Sequence, residues 1–170
     1  MLSLATKSRT ALTIKVRFLN VFFCQLNESL GSKFDGDGNY NNWWGDQDLA
    51  NFNDRVQCIK DEYGGFFFEE AQMNLNGDLT AGENTADNGG VYESLYAFGN
   101  WQNNGNTDTH LPNLSDQYTE EQLFFINYGQ IWCSKYRPEY AQWMATNDPH
   151  SPGQFRYLYQ KAFIVKFLGN

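Results

Sequence analysis

The strongest constraint on the fold of this chain is a helical segment that is apolar on nearly all sides. Residues 123–132 read LFFINYGQIW, so apolar side chains would cover almost the whole circumference of a helix. Thr119, with Gln122 three residues later, fits a capping box and predicts where this helix begins. Because a helix that is apolar all round is buried in soluble proteins, we expect this one at the centre of the fold.

Other helices are predicted on both sides of this segment. From Asp46 onward, one apolar stripe recurs at steps of three and four residues and stops at Gly64-Gly65, which is typical of a helix end. The stripe consists of Leu49, Phe52, Val56, Ile59 and Tyr63. Three further helices are expected from Thr80 or Glu83 to about Phe98, from Pro138 to about Thr146, and from Ser151-Pro152 onward. Residues 99–117 are predicted to form a polar loop, and no alternating strand pair is evident, so the fold should be mainly α.

Charge is distributed unevenly along the chain. The net formal charge is −8, yet residues 1–27 contain four Lys or Arg and no acid, which leaves −12 for the remainder. Such asymmetry predicts a boundary near residue 27. The acidic balance argues against nucleic-acid binding, which needs clustered Lys and Arg. The sequence contains no run of about 18 apolar residues, so no membrane-spanning segment is predicted.

The first motif that could take part in catalysis or metal binding is GENTADNGG at residues 82–90. Glu83 and Asp87 are four residues apart, so a helix would place both carboxylates on one face. One carboxylate could bind a metal while the other orients a second ligand. Alternatively, both are solvated acids near a helix N-terminus, where the dipole favours negative charge. The spacing alone favours this second interpretation.

The second motif is DPHSPGQFR at residues 148–156. A histidine held by a nearby Asp can stabilise an oxyanion or move a proton, which makes His150 with Asp148 a candidate catalytic pair. Arg156 could bind a carboxylate through two parallel hydrogen bonds. The alternative is a turn between helices that is capped by Asp148 or Ser151.

Three other features carry less information. The run DGDGN at residues 35–39 begins like a calcium loop, but Tyr40 and Asp46 stand where that loop needs Gly and Glu, so an Asx-rich turn is expected. The three cysteines, Cys24, Cys58 and Cys133, form no metal motif. Two Asn-x-Ser sequons begin at Asn27 and Asn113 and support a secreted context only weakly.

Taken in order, these motifs resemble the C-terminal part of the neprilysin and endothelin-converting enzyme family of zinc metallopeptidases. The matching stretches are residues 31–44, LANFNDRVQC (49–58), NLNGDLTAGENTADNGG (74–90), LP (111–112), EQLFFINYGQIWCSKYRPEYA (121–141) and DPHSPGQFR. The resemblance implies the helical C-terminal part of a zincin-like domain, incomplete in this chain. It also implies zinc as cofactor, peptides as substrates, and an extracellular or membrane-anchored ectodomain.

The resemblance assigns a role to each residue of the two motifs. Glu83 would be a zinc ligand, and Asp87 would orient a zinc-binding histidine. His150 would stabilise the tetrahedral intermediate, with Asp148 orienting its ring. Arg156 would hold the substrate backbone. The family supplies its other two zinc ligands and its general base from a helix carrying His-Glu-x-x-His.

This chain departs from the family at both ends. Residues 21–25 read VFFCQ where the family has His-Glu-x-x-His, and no histidine occurs before His110. After Arg156 the family pattern is lost, and the resemblance implies that partners of Cys58 and Cys133 lie in segments absent here. We therefore expect a non-family segment at 1–27, a peptidase-like region at 28–156 and a divergent tail at 157–170.

These departures favour a fragment or degenerate member of the family that binds zinc poorly and is inactive alone. The alternative is a non-catalytic binding or regulatory protein that keeps the same scaffold. A third possibility is a chain that completes a site with histidines from another polypeptide, although nothing in the sequence indicates such a partner.

Overall fold

The computed structural model describes residues 33–41, 43–106 and 110–157. These residues form four named helices and a two-stranded hairpin, listed here in chain order: α1 Asp46–Gly65, β1 Phe67–Phe68, β2 Met73–Asn74, α2 Gly77–Asn103, α3 Glu120–Ile131 and α4 Pro138–Asn147. Residues 153–157 are also helical. The prediction of a mainly α fold is confirmed. The predicted boundary near residue 27 lies outside the described residues.

Helix α1 begins and ends where the sequence predicts. Two acids, Asp46 and Asp48, lie in its first turn, where the helix dipole favours negative charge. Its last turn closes when the Phe66 backbone N–H donates to the Tyr63 carbonyl. Tyr63 is the fully buried member of the apolar stripe, and the other four members are partly exposed.

The hairpin that follows α1 was not predicted. Phe67 pairs with Asn74 and Phe68 pairs with Met73 in an antiparallel register. Gln72 takes a left-handed conformation, with φ of 55°, and closes the turn. Phe68 is buried while Phe67 is exposed. Strands of two residues are too short to show the alternation by which a strand is recognised in a sequence.

Helix α2 is longer than predicted at both ends. It begins at Gly77 because the Asn76 side chain caps it by accepting the Leu79 backbone N–H at 3.0 Å. A Cβ at Gly77 would collide with the Lys60 carbonyl oxygen, so glycine allows α1 and α2 to pack at close range there. At the other end α2 continues to Asn103, so residues 99–103 of the predicted loop are helical instead.

The capping box before α3 is confirmed, since the Thr119 and Gln122 side chains each accept the other residue's backbone N–H. One face of α3 packs on α2 through a buried cluster of Val91, Phe98, Phe124, Phe125 and Tyr128. Ile126 is 37% exposed, so α3 is buried on one side rather than all round. A second cluster joins α1, the hairpin and α4, and consists of Tyr63, Phe68, Ala71, Leu75, Ala141, Ala145 and Phe155.

The loop before α1 is the expected Asx-rich turn. The Asp35 carboxylate accepts the backbone N–H groups of Asp37 and Asn39, and Gly38 takes a φ of 81°. The hydrogen bond from the Asn39 backbone lowers the pKa of Asp35 below its ordinary value. Among the described residues, no helix is both long and apolar enough to cross a membrane.

Candidate functional site

The first half of α2 presents two carboxylates on one face of the helix. Glu83 and Asp87 are one turn apart, as the sequence predicts. Their environments differ, because the Glu83 side chain is 25% exposed and the Asp87 side chain is 1% exposed. A carboxylate as deeply buried as Asp87 requires a partner of opposite charge, and Arg156 supplies one.

Arg156 pairs with Asp87 through two hydrogen bonds. Its Nε donates to Oδ2 and its Nη2 donates to Oδ1, and both side chains are buried. The guanidinium also lies over the Trp132 ring, with Cζ 3.9 Å from the ring centroid. This bidentate geometry is the strong form of an ion pair, and it joins segments that are 69 residues apart in sequence.

His150 lies between two other carboxylates. The Asp148 carboxylate accepts both the His150 backbone N–H and the ring Nδ1–H, each at 2.9 Å. The opposite ring nitrogen, Nε2, is 3.3 Å from Glu83 Oε2. With Nδ1–H donated to Asp148, the Glu83 contact is attractive only when a proton lies between Nε2 and the carboxylate. The sequence motifs at 82–90 and 148–156 therefore meet in one place, as expected.

A tight turn around Gly153 brings the second motif, residues 148–156, into contact with α2. Gly153 lies so close to the Trp132 carbonyl oxygen that a Cβ would collide with it, and the Gly153 N–H donates to the Tyr136 hydroxyl at 3.3 Å. Trp132 and Tyr136 thus support the segment that carries His150 and Arg156. Neither was singled out from the sequence. The signal that could have indicated this contact is the glycine after Ser151-Pro152, which suggests a close backbone approach.

The predicted cap at Ser151 is wrong in its details. The Ser151 hydroxyl is buried and has no hydrogen-bond partner within the described ranges. The helical turn at 153–157 instead begins from the Pro152 carbonyl, which accepts the backbone N–H groups of Phe155 and Arg156. The Asn84 Oδ1 atom, also buried, likewise lacks a partner among the described residues.

The donor set of the described residues does not fit a catalytic zinc ion. Such an ion takes three protein ligands, and in the part of the chain that the structure describes no three His, Cys, Asp or Glu side chains lie close enough together to hold a metal. The chain has two histidines, of which His150 contacts Glu83 and His110 pairs with Asp116 at 3.1 Å. Residues 21–25 lie outside the described ranges.

The cysteines of the described residues do not add a ligand group. Cys58 and Cys133 are exposed and free. Cys24 lies outside the described residues. Zinc is therefore implied for this chain by the family that its motifs resemble and not by a ligand cluster among the described residues.

Comparison with known proteins identifies that family. The model of peptidase family M13 matches residues 26–167. The chain is 41% identical to Neprilysin-11 of Caenorhabditis elegans over 128 residues, and 43% identical to membrane metallo-endopeptidase-like 1 of Homo sapiens over 129 residues. Each match covers 75% of this chain but only 15% and 16% of the respective relative.

A solved structure supports the same conclusion at the level of the fold. The crystal structure of the Mycobacterium tuberculosis zinc metalloprotease Zmp1 in complex with an inhibitor superposes with a TM-score of 0.71 at 28% identity. The similarity covers 89% of this chain and 25% of Zmp1. The resemblance to neprilysin-type metallopeptidases is thus confirmed over most of the sequence. The chain belongs to peptidase family M13.

Proposed function

We propose that this 170-residue chain is a neprilysin-like member of the zinc metalloendopeptidase family that hydrolyses no peptide bond on its own. The observation that carries the proposal is the donor set at the candidate site. Glu83, the proposed zinc ligand, contacts His150 through its carboxylate. The sequence VFFCQ stands at residues 21–25, where two zinc-binding histidines and a general base are expected.

The other site residues keep proposed roles that need no metal. In its protonated form His150, oriented through Nδ1 by Asp148, would turn its Nε2–H from the Glu83 carboxylate to the carbonyl oxygen of a bound peptide. Asp87 would hold Arg156 in place through their buried pair, and Arg156 would face the peptide backbone. The proposal rests on the convergence of these side chains on α2, together with the motifs shared with the family.

The ligand and the location follow from the family. We propose a peptide as the ligand, because peptides are what endopeptidases of this kind bind. We propose an extracellular or ectodomain location on the same ground.

The test is a hydrolysis assay on the purified chain. A short hydrophobic peptide is incubated with the chain and zinc, with and without a chelator, and the products are read by mass spectrometry. We expect no cleavage above the buffer blank. Cleavage that the chelator blocks and that disappears in Glu83→Ala would overturn the proposal.

A second candidate function is peptide binding without cleavage. The observation that favours it is that the His150 side chain, which Asp148 orients through Nδ1, is 48% exposed beside Glu83 and can be reached by a peptide. We expect His150→Ala to weaken binding of a labelled hydrophobic peptide at least about tenfold, which is roughly 1.4 kcal/mol. His110→Ala is the matched control, since His110 pairs with Asp116 in a different loop and should leave binding unchanged. Equal effects of both variants, or no measurable binding, would reject this candidate.

A further inference from the structure

The loop between α2 and α3 contains a compact surface turn at residues 110–118. The turn is closed by the His110–Asp116 pair and by the Leu111 N–H, which donates to the Ser115 hydroxyl at 2.9 Å. The Leu111 carbonyl accepts the backbone N–H groups of Leu114 and Ser115. Backbone groups and neighbouring side chains therefore satisfy one another within this turn.

Asn113 differs from its neighbours in this turn in its backbone conformation and in its side-chain contacts. It is exposed and takes a left-handed conformation with φ of 68°, which Asn adopts more readily than most residues. Its carbonyl accepts the Gln117 side-chain amide at 2.9 Å, so the backbone is held. Among the described residues its own side-chain amide has no hydrogen-bond partner, and the turn leaves that group in solvent.

Asn113, Leu114 and Ser115 form an Asn-x-Ser sequon with a residue other than proline in the middle. We propose that Asn113 is an N-glycosylation site of this chain in the secretory pathway. The proposal rests on the extracellular location proposed above. Sequons are frequent by chance, and exposure together with an unused side-chain amide is what distinguishes this one.

The modification is a group transfer from a lipid-diphosphate-linked oligosaccharide. A bond forms between Asn113 Nδ2 and C1 of the first sugar, while the bond from C1 to the diphosphate oxygen breaks. The lipid diphosphate leaves with the bonding electron pair, and one amide proton passes to a base. Neither reactant is oxidised or reduced.

The position of the glycan should leave the candidate site open. Glu83 and the last residue of α2, Asn103, are 20 residues apart on one helix, which corresponds to about 30 Å along the axis. The turn with Asn113 follows that far end of α2. Gln102 near that end of α2 donates to the Glu120 carboxylate at the start of α3 at 2.6 Å, so the loop with Asn113 both leaves and returns far from Glu83. A glycan on Asn113 should therefore leave Glu83 and His150 uncovered.

The experiment expresses the full chain in cultured eukaryotic cells, with and without an added cleavable secretory leader. Each product is treated with an amidase that removes N-glycans, and modified peptides are mapped by mass spectrometry. For the leader-bearing chain we expect a mobility shift that the amidase removes and that maps to Asn113. Asn113→Asp should abolish that modification, because Asp tolerates the same turn conformation but cannot accept the sugar. Ser115→Thr, which keeps the sequon, and Asn27→Gln should both retain it.

The outcomes separate the site from the location. An unmodified Asn113 in the leader-bearing chain, whether or not Asn27 is modified, overturns the proposal. If the chain is modified with the added leader but not without it, the result supports Asn113 as the site. The same result rejects the proposal that the unaltered sequence enters the secretory pathway. Neither result depends on peptide hydrolysis, so the proposed lack of activity is tested independently by the hydrolysis assay.

Discussion

At the scale of single residues, two contacts define the candidate site, the buried ion pair of Asp87 with Arg156 and the contact of Glu83 with His150. The sequence predicted the second contact more fully than the first. Motif resemblance placed Glu83 near His150, and they are in contact. It did not predict that Asp87 and Arg156 bind each other, because it assigned Asp87 to a histidine and Arg156 to substrate. Pairing across 69 residues leaves no periodic signal in a single sequence.

The Asp87–Arg156 pair gives the first prediction on stability. Asp87→Asn removes the carboxylate charge that faces the buried Arg156 guanidinium, which should destabilise the fold by about 3–5 kcal/mol. Asp78→Asn is the control on the same helix, because Asp78 pairs with Lys60 but is 82% exposed, and should cost less than about 1 kcal/mol. Urea denaturation compares the two. Equal midpoints for both variants would show that the buried pair contributes no more than the exposed one.

At the scale of elements, the sequence predicted the existence of each helix better than its ends. The capping box of α3 and the proline start of α4 were recognisable because each is a local signal. The start of α2 was placed too late because its cap, Asn76, follows a hairpin that is too short to recognise. Its C-terminal end was placed too early because helix packing against α3 outweighs the weak helix propensity of Gly and Asn.

Two glycines of α2 test how closely the helices pack. Gly77→Ala should destabilise the chain by about 1–3 kcal/mol, because the new methyl group meets the Lys60 carbonyl and pushes α1 away. In Gly99→Ala no atom within 4 Å opposes the methyl group, so helix propensity should stabilise the chain by about 0.5–1 kcal/mol. Thermal melts of both variants measure the difference. A stabilised Gly77→Ala variant would contradict the close packing.

At the scale of the whole molecule, the family and the mainly α architecture could be predicted from motif order, and the comparisons confirm both. The scaffold brings Glu83 and His150 together, and in this chain the carboxylate that resembles a zinc ligand is held by an imidazole. We therefore expect that this donor set does not retain zinc.

Zinc retention can be measured on the purified chain. The thiols are first alkylated so that cysteine thiolates bind no metal, the chain is equilibrated with zinc and passed through a desalting column, and the metal that co-elutes is measured. We predict no more zinc on the chain than on its Glu83→Ala variant. Stoichiometric zinc on the unaltered chain that is lost in both Glu83→Ala and His150→Ala would show instead that these two side chains retain zinc.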